Sequence, residues 1–579
     1  MKTTRLKYIS WIAGAILLFQ SGCQELTDVK PINEISDADY WRTPDQFKLA
    51  ANEFYTYLIT FGQVLYDGPH SDLRADLTAT ANNVFSNGNN TIPSSDANWN
   101  SAYSRLRAIN YLLANAEGYA NPTEIAQYVA EAKFFRAYVY FDLLQQYGGV
   151  PIVTKPLNTT SEELQAARNS REEVVDFIVK DLEEAIPNLP LETALGTANK
   201  GRISQGAAQA FLARVGLYEG TWQKFRNGNA ARYNALLDKA IMNSDAVITS
   251  AQYQLFAPTA LGDSALKYLF ILEDQKSNPA NLTKATNQEY ILANRYDYNL
   301  RQIRNNVTHT WMGYGLTRKF ANMFLSQDGL PIEKSPLFQG YATTTSEFEN
   351  RDNRMKYTMM RDNRFHWDNE SKGARVNWTG DAADQAGSRG RHNAAIGSGY
   401  QNQKWGTERR LNDNEEGYDW PVIRLAEVYL TYAEAKFERD GAISDADLDK
   451  SLNLVRNRIN INMPKLSNAI VQANGLDMRT EIRRERTIEL FLEGFRLDDL
   501  KRWKTAEIEM PKPLLGIKWT GTAFQTRLKL ANGSAPYPLD AEGNLIYESG
   551  RTWNERNYLL PIPTQQIQLN PNLEQNPGW

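Results

Sequence analysis

The 579-residue sequence has a single cysteine, Cys23, so no disulfide can close within the chain. It has four histidines, His70, His309, His366 and His392. None is spaced as in the H-E-x-x-H zinc motif, and neither a G-x-S-x-G elbow nor a phosphate-binding glycine loop occurs. No metal or cofactor ligand set is therefore expected, and no nucleophile with its base is assembled in the sequence. The 68 carboxylates are so many that pairs must fall near one another by chance, so a glycosidase pair cannot be picked out. A basic excess is also missing: 64 Lys and Arg leave a net charge of −4, which argues against a nucleic-acid partner. Apolar residues make up 42% of the chain, an ordinary globular share.

The only long apolar run is at the start. Lys2, Arg5 and Lys7 precede the run from Tyr8 to Phe19, which is too short for a comfortable membrane span. Ser21 and Gly22 then lead into Cys23. One reading is an ordinary signal peptide with an incidental cysteine. The other, favoured because the lone cysteine sits at the cleavage position, resembles a bacterial lipoprotein box with Cys23 lipidated. Gln20 departs from that pattern, where an aliphatic residue is usual. Two or more acyl chains would anchor stably. The expected organisation is a leader over residues 1–22, a tether over 23–43, and one domain over 44–579.

Helical spacing recurs from Pro44 to Ile59, Trp99 to Asn115, Arg171 to Ile186, Ile203 to Gly220 and Tyr233 to Ile248. Asn121-Pro122-Thr123-Glu124 reads as a capping box opening a helix that stops at Gly148-Gly149. Leu266–Leu272 reads as a short strand. A helix from Pro421 to Arg439 would be covered on most of its circumference, with a polar stripe of Arg424, Glu427, Thr431, Glu434 and Glu438. Arg424 and Glu427 stand at a contact spacing. The densely charged run from Asp477 to Trp503 reads as a solvated or ion-paired helix. Helical core is thus expected over 44–275 and 421–503, and loop-rich chain over 62–98, 275–420 and 511–579. The pairing of helices is loosely that of tetratricopeptide hairpins, although the repeat is inexact.

Several segments, in order, resemble one family. They are Glu131–Tyr138, Tyr147–Pro151, Asp328-Gly329, Asn350–Arg354, Ile423–Ala435, Glu485–Leu490, Glu493–Trp503, Leu560–Pro563, Asn570–Leu573 and Gln575–Gly578. Together they resemble the SusD/RagB family of surface nutrient-binding lipoproteins from Bacteroidetes-type bacteria. The resemblance implies a mainly α fold, with tetratricopeptide-like hairpins in a superhelix and irregular loops and a few short strands forming the ligand face. It implies a non-catalytic protein that binds an oligosaccharide, or in some members a peptide. It also implies an exterior-facing lipid anchor in the outer membrane, with Glu25 and Asp28 as the export signal, and a SusC-like TonB-dependent transporter as partner. A lipid-anchored glycan-degrading enzyme is the alternative from another class.

A sugar-binding reading needs aromatic faces for C–H stacking and Asn, Asp or Arg for hydroxyls. In the family the site joins the loop after the first helix to the middle irregular region. The early loop offers Asp72, Arg74 and Asn83, beside Asp76 and Asn82. The middle region offers Tyr296, Trp311, Tyr314 and Trp367, beside Tyr298, Trp378 and Trp405. Any one of these tryptophans could instead be packing; Trp405, Trp420 and Trp503 are expected to be structural.

Overall fold

A computed structural model describes residues 40–80, 82–304, 315–361, 365–369, 372–375, 398–407 and 414–579. The leader, Cys23 and most of the tether lie outside these residues. Among the described residues no helix is long and apolar enough to cross a membrane.

The expected mainly α architecture, helices with a few short strands, is observed. The longer helices are α1 (Pro44–Phe54), α2 (Ala97–Glu117), α3 (Pro122–Tyr147), α4 (Arg171–Ala185), α5 (Gln205–Lys224), α6 (Ala230–Thr249), α7 (Leu425–Asp440), α8 (Met478–Glu489) and α9 (Arg496–Arg502). Neighbours in the chain pack on one another: α2 on α3, α3 on α4 and α5 on α6. Short side chains set these distances. A Cβ on Gly216 of α5 would stand 2.6 Å from the Leu236 carbonyl of α6, so only glycine lets the two backbones approach this closely. One apolar cluster runs from Phe47 to Leu573 through most of these helices.

Capping explains several helix starts. Ser170 opens α4 with a capping box to Glu173, and Ser204, Asn229 and Asp477 accept backbone N–H bonds at the starts of α5, α6 and α8. The expected box at Asn121 does not form; Pro122 opens α3 without a side-chain cap. Gly441 ends α7 in the left-handed region at φ 74°.

Three other expectations are corrected. Ala265–Phe270 is a helix rather than a strand, since a short apolar run without a polar face carries no period. Asp477–Trp503 is two helices, α8 and α9, separated by a turn at Gly494 (φ 84°). Pro421 lies in a strand, not in the first turn of α7. Trp420-Pro421-Val422-Ile423-Arg424 favours extended backbone through its β-branched pair, and it has a single partner strand, so the missing proline N–H is tolerated.

Among the described residues nine strands form small antiparallel sheets: β1 (Thr78–Ala79), β2 (Tyr290–Asn294), β3 (Gly315–Leu316), β4 (Phe365–Asn369), β5 (Lys372–Arg375), β6 (Tyr400–Gln401), β7 (Trp420–Arg424), β8 (Leu514–Lys518) and β9 (Asn544–Glu548). β2 pairs with β7, β4 with β5, and β8 with β9. β1, β3 and β6 form a three-stranded sheet in that order.

α7 packs against α5, α6 and α8, and its polar stripe is buried throughout. Glu427 takes both prongs of Arg214 at 2.6 Å. Glu434 takes Arg502 at 2.6 and 2.7 Å and the Trp503 indole N–H at 2.6 Å. Glu438 takes Lys224 and Arg479, each at 2.7 Å. Arg424 does not pair with Glu427 as its spacing suggests. It sits before the helix and reaches Glu289, Glu489 and Glu493 at 2.7–2.9 Å.

From Arg424 the network is continuous. Arg354 joins Asp352, Glu485 and Glu489; Arg456 joins Glu485; Arg458 joins Glu289 and Glu489; Lys404 joins Glu493. Its charges balance: Arg354, Lys404, Arg424, Arg456 and Arg458 face Glu289, Asp352, Glu485, Glu489 and Glu493. Burial penalises Glu489, but Arg458, Arg424 and Arg354 outweigh it and hold that carboxyl well below its ordinary range.

Candidate functional site

The early loop and the middle region meet at the β1–β3–β6 sheet. Thr78 opposes Leu316 and Ala79 opposes Gly315; Gly315 opposes Gln401 and Leu316 opposes Tyr400. Ala79, Gly315 and Gln401 therefore share one end of the sheet. Thr80 follows Ala79 there, and Asn402 follows Gln401. Thr80 Oγ1 and both amide atoms of Gln401 are buried without a hydrogen-bond partner. Segments far apart in sequence thus bring polar groups to one edge.

The early loop is stapled to the scaffold by its own charges. Asp72 is fully buried and accepts the backbone N–H groups of Gly494 and Arg496, each at 3.2 Å. Burial pushes its pKa up to about 7, against those two bonds. Asp76 takes a bidentate pair from Arg496 at 2.8 Å and a bond from Lys319. Burial opposes its charge, but Arg496 and Lys319 outweigh burial and hold it well below the carboxylate range. His70 donates to Asp498 at 2.6 Å and to Asp142 at 2.7 Å. Burial alone would lower its pKa; the two carboxylates reverse this and push it up to about 10.

Arg74 and Asn83 come together on a residue the sequence did not single out, Asp67. Arg74 Nε donates to Asp67 Oδ1 at 2.9 Å and Asn83 Nδ2 to the same oxygen at 2.8 Å. The Arg74 guanidinium lies 3.5 Å from the Phe85 ring centroid. Asn83 Oδ1 accepts the N–H groups of Phe85 and Ser86, both at 3.0 Å, which fixes the turn. Asn82 holds φ 58° in that turn. The available signal for Asp67 is the turn sequence Tyr66-Asp67-Gly68-Pro69.

Tyr296 lies elsewhere. It is buried edge-on to Phe61 at 5.6 Å, with Arg301 4.5 Å above its ring. Trp311 and Tyr314 lie outside the described residues, as does Trp378. Trp367 falls in β4, opposite Ala374 of β5, and its side chain is likewise outside them. Tyr298 is partly exposed, and its hydroxyl bonds Glu415 at 3.1 Å. Trp405 and Trp420 are a stacked buried pair at 5.1 Å, with Phe61 edge-on to both. Trp99 and Trp503 are also buried. Among the described residues no cluster of three or more His, Cys, Asp or Glu is arranged to hold a metal.

A helical scaffold thus carries a polar edge built from loops distant in sequence. The chain belongs to the SusD family: residues 270–579 match the model of that family. Residues 58–217 match a second model, described as starch-binding associating with outer membrane. SusD-like protein P2 of Formosa agariphila is 24% identical over 613 residues, covering 100% of both chains. SusD-like protein P38 of the same organism is 29% identical over 209 residues, a match spanning 34% of this chain and 39% of that relative. The fold is shared with the crystal structure of a SusD-like carbohydrate binding protein from Bacteroides fragilis, at TM-score 0.72 and 22% identity over 92% of this chain and 99% of that one.

Proposed function

We propose that this protein binds a nutrient oligosaccharide at the edge where the early loop meets the middle region and delivers it to a SusC-like TonB-dependent outer-membrane transporter. The observation that carries the reading is the β1–β3–β6 sheet, which holds residues 78–79, 315–316 and 400–401 together. Thr80 and Gln401, buried beside that edge with polar atoms left unpartnered, supply the hydrogen-bonding capacity that sugar hydroxyls would use on reaching it. The carbohydrate-binding description of the Bacteroides fragilis protein and the starch-binding description of the second family model support a carbohydrate as ligand. The role is capture without turnover. The chain is organised as a leader over residues 1–22, a tether over 23–43 and a single domain over 44–579, anchored to the outer membrane through lipid on Cys23 and facing the exterior.

Titration of the full chain with candidate polysaccharides, followed by calorimetry and by analysis of the sugar for cleavage, tests this. Saturable binding with intact sugar is the expected result. Cleavage products would replace the binding reading with the enzyme alternative, and binding of peptides with no glycan bound would replace the ligand. Cys23→Ala should release the protein from membranes, and continued retention would remove the lipid anchor.

A further inference from the structure

Beyond the ligand edge, a second group of buried polar atoms is left without partners. It lies between the early loop, the end of α3, helix α9 and the C-terminal segment. Gln146 is 3% exposed and both of its amide atoms lack partners; Trp553 is 9% exposed and its Nε1–H lacks one. Lys501 is 5% exposed, and its ammonium forms no hydrogen bond or ion pair among the described residues. These three residues line one small cavity of about 20 Å³ together with His70, Arg74 and Asp498.

The charges around it do not cancel. Arg74 is matched by Asp67 and Arg171 by Glu219. Asp142 and Asp498 share His70, so five cations around the cavity, Arg74, Arg171, Arg226, Lys501 and His70, face four carboxylates, Asp67, Asp142, Glu219 and Asp498. Lys501 and Arg226 have no carboxylate at ion-pair distance among the described residues. Arg226 spends its donors on the carbonyls of Trp222 and Lys501. Burial depresses the Lys501 pKa; Asp498 opposes that, while Arg74, Arg171 and Arg226 add to it. An ammonium and an indole N–H can only donate, and a buried cation without a counter-charge is costly to hold.

We infer that this cavity is a binding site for a small inorganic monoanion, chloride in the native setting, held by Lys501 Nζ, Trp553 Nε1 and Gln146 Nε2. Its size selects the ligand. A single water-sized sphere needs about 10–15 Å³, so the space takes a monatomic ion but no carboxylate, phosphate or sugar. The anion ties three segments distant in sequence, the end of α3, α9 and the C-terminal segment at Trp553, and lies against the loop carrying His70 and Arg74. It thereby steadies the early loop from behind, away from the ligand edge.

Crystals of the full chain soaked in sodium bromide test the site by anomalous scattering. A bromide peak within hydrogen-bonding reach of Lys501 Nζ is expected. In solution, Tm should rise with chloride at constant ionic strength. Lys501→Met should weaken that chloride response about tenfold or more, since a bond to a charged group is lost. Trp553→Phe keeps the ring and removes only the N–H, so about a fivefold weakening is expected; it carries the test if Lys501→Met does not fold. Density that refines as water with no bromide signal would overturn the inference. So would a chloride response unchanged in whichever of the two variants folds.

Discussion

The buried charge around α7, α8 and α9 and the polar edge at β1–β3–β6 are made of similar residues but used oppositely. In the first region Glu289, Asp352, Glu485, Glu489 and Glu493 each meet a guanidinium or ammonium, and Arg424 alone engages three of them. In the second, the Thr80 hydroxyl and the Gln401 amide are buried and unpartnered. A balanced buried network orients helices, because removing any member strands its partners. An unpartnered polar edge does the reverse: it is stable only if the rest of the fold holds it, and the proposed ligand would have to supply what it lacks. The family segments at Asn350–Arg354, Ile423–Ala435 and Glu485–Trp503 fall in the first region. They are therefore markers of the scaffold, not of the ligand.

Four perturbations sharpen the contrast, in falling order of effect. Glu489→Ala leaves Arg354, Arg424 and Arg458 short of a partner. It should cost about 3–5 kcal/mol in urea unfolding, or abolish folding; a loss below about 1 kcal/mol would show that the network is dispensable. Arg74→Ala removes the Asp67 pair and the contact with Phe85. A loss of about 1–2 kcal/mol is expected, together with weaker glycan binding, because the Asn83 turn shares Asp67. Binding at full strength would separate that turn from the ligand edge.

The third is a pH effect. His70 binds its proton more tightly in the folded protein, where its pKa is pushed up to about 10. Its contribution is complete below the unfolded value of about 6.5 and is lost as pH rises toward 10. Asp72, at about 7, also favours the protonated fold, but its effect is spent by pH 7. Stability should therefore fall between about pH 7 and 10, and His70→Gln should flatten that slope in denaturant titrations at several pH values. An unchanged slope would mean that the early loop is not held by the Asp142–His70–Asp498 bridge. The smallest effect is expected for Tyr298→Ala. This residue is 39% exposed, and its loss should change stability by about 0.5 kcal/mol or less. A larger loss would place Tyr298 with the scaffold.

Much of the scaffold is legible in the sequence. Periodicity locates the long helices, Gly441 marks the end of α7, and Trp405, Trp420 and Trp503 are packing residues as expected. The misreadings share a cause. Pro421 and Leu266–Leu272 lie in short apolar stretches with little polar face, where neither helical nor strand period can show. The charged run at Asp477–Trp503 has the pattern of an exposed ion-paired helix, and only the packing of α8 and α9 against α7 and the early loop reveals that it is buried. The candidate site is legible as regions rather than as residues. The loop around Asp72 suggests a ligand group, but its place beneath Gly494 depends on a contact across 422 positions.

The sequence by itself determined the helical class, the absence of disulfides and of recognisable metal motifs, and the family, because periodicity, composition and ordered motifs are local properties of the chain. Only the tertiary structure decided which charges are balanced and which polar groups are left over. Pairing such as His70 with Asp498, or Ala79 with Gly315, depends on distances across hundreds of residues, which no local pattern encodes.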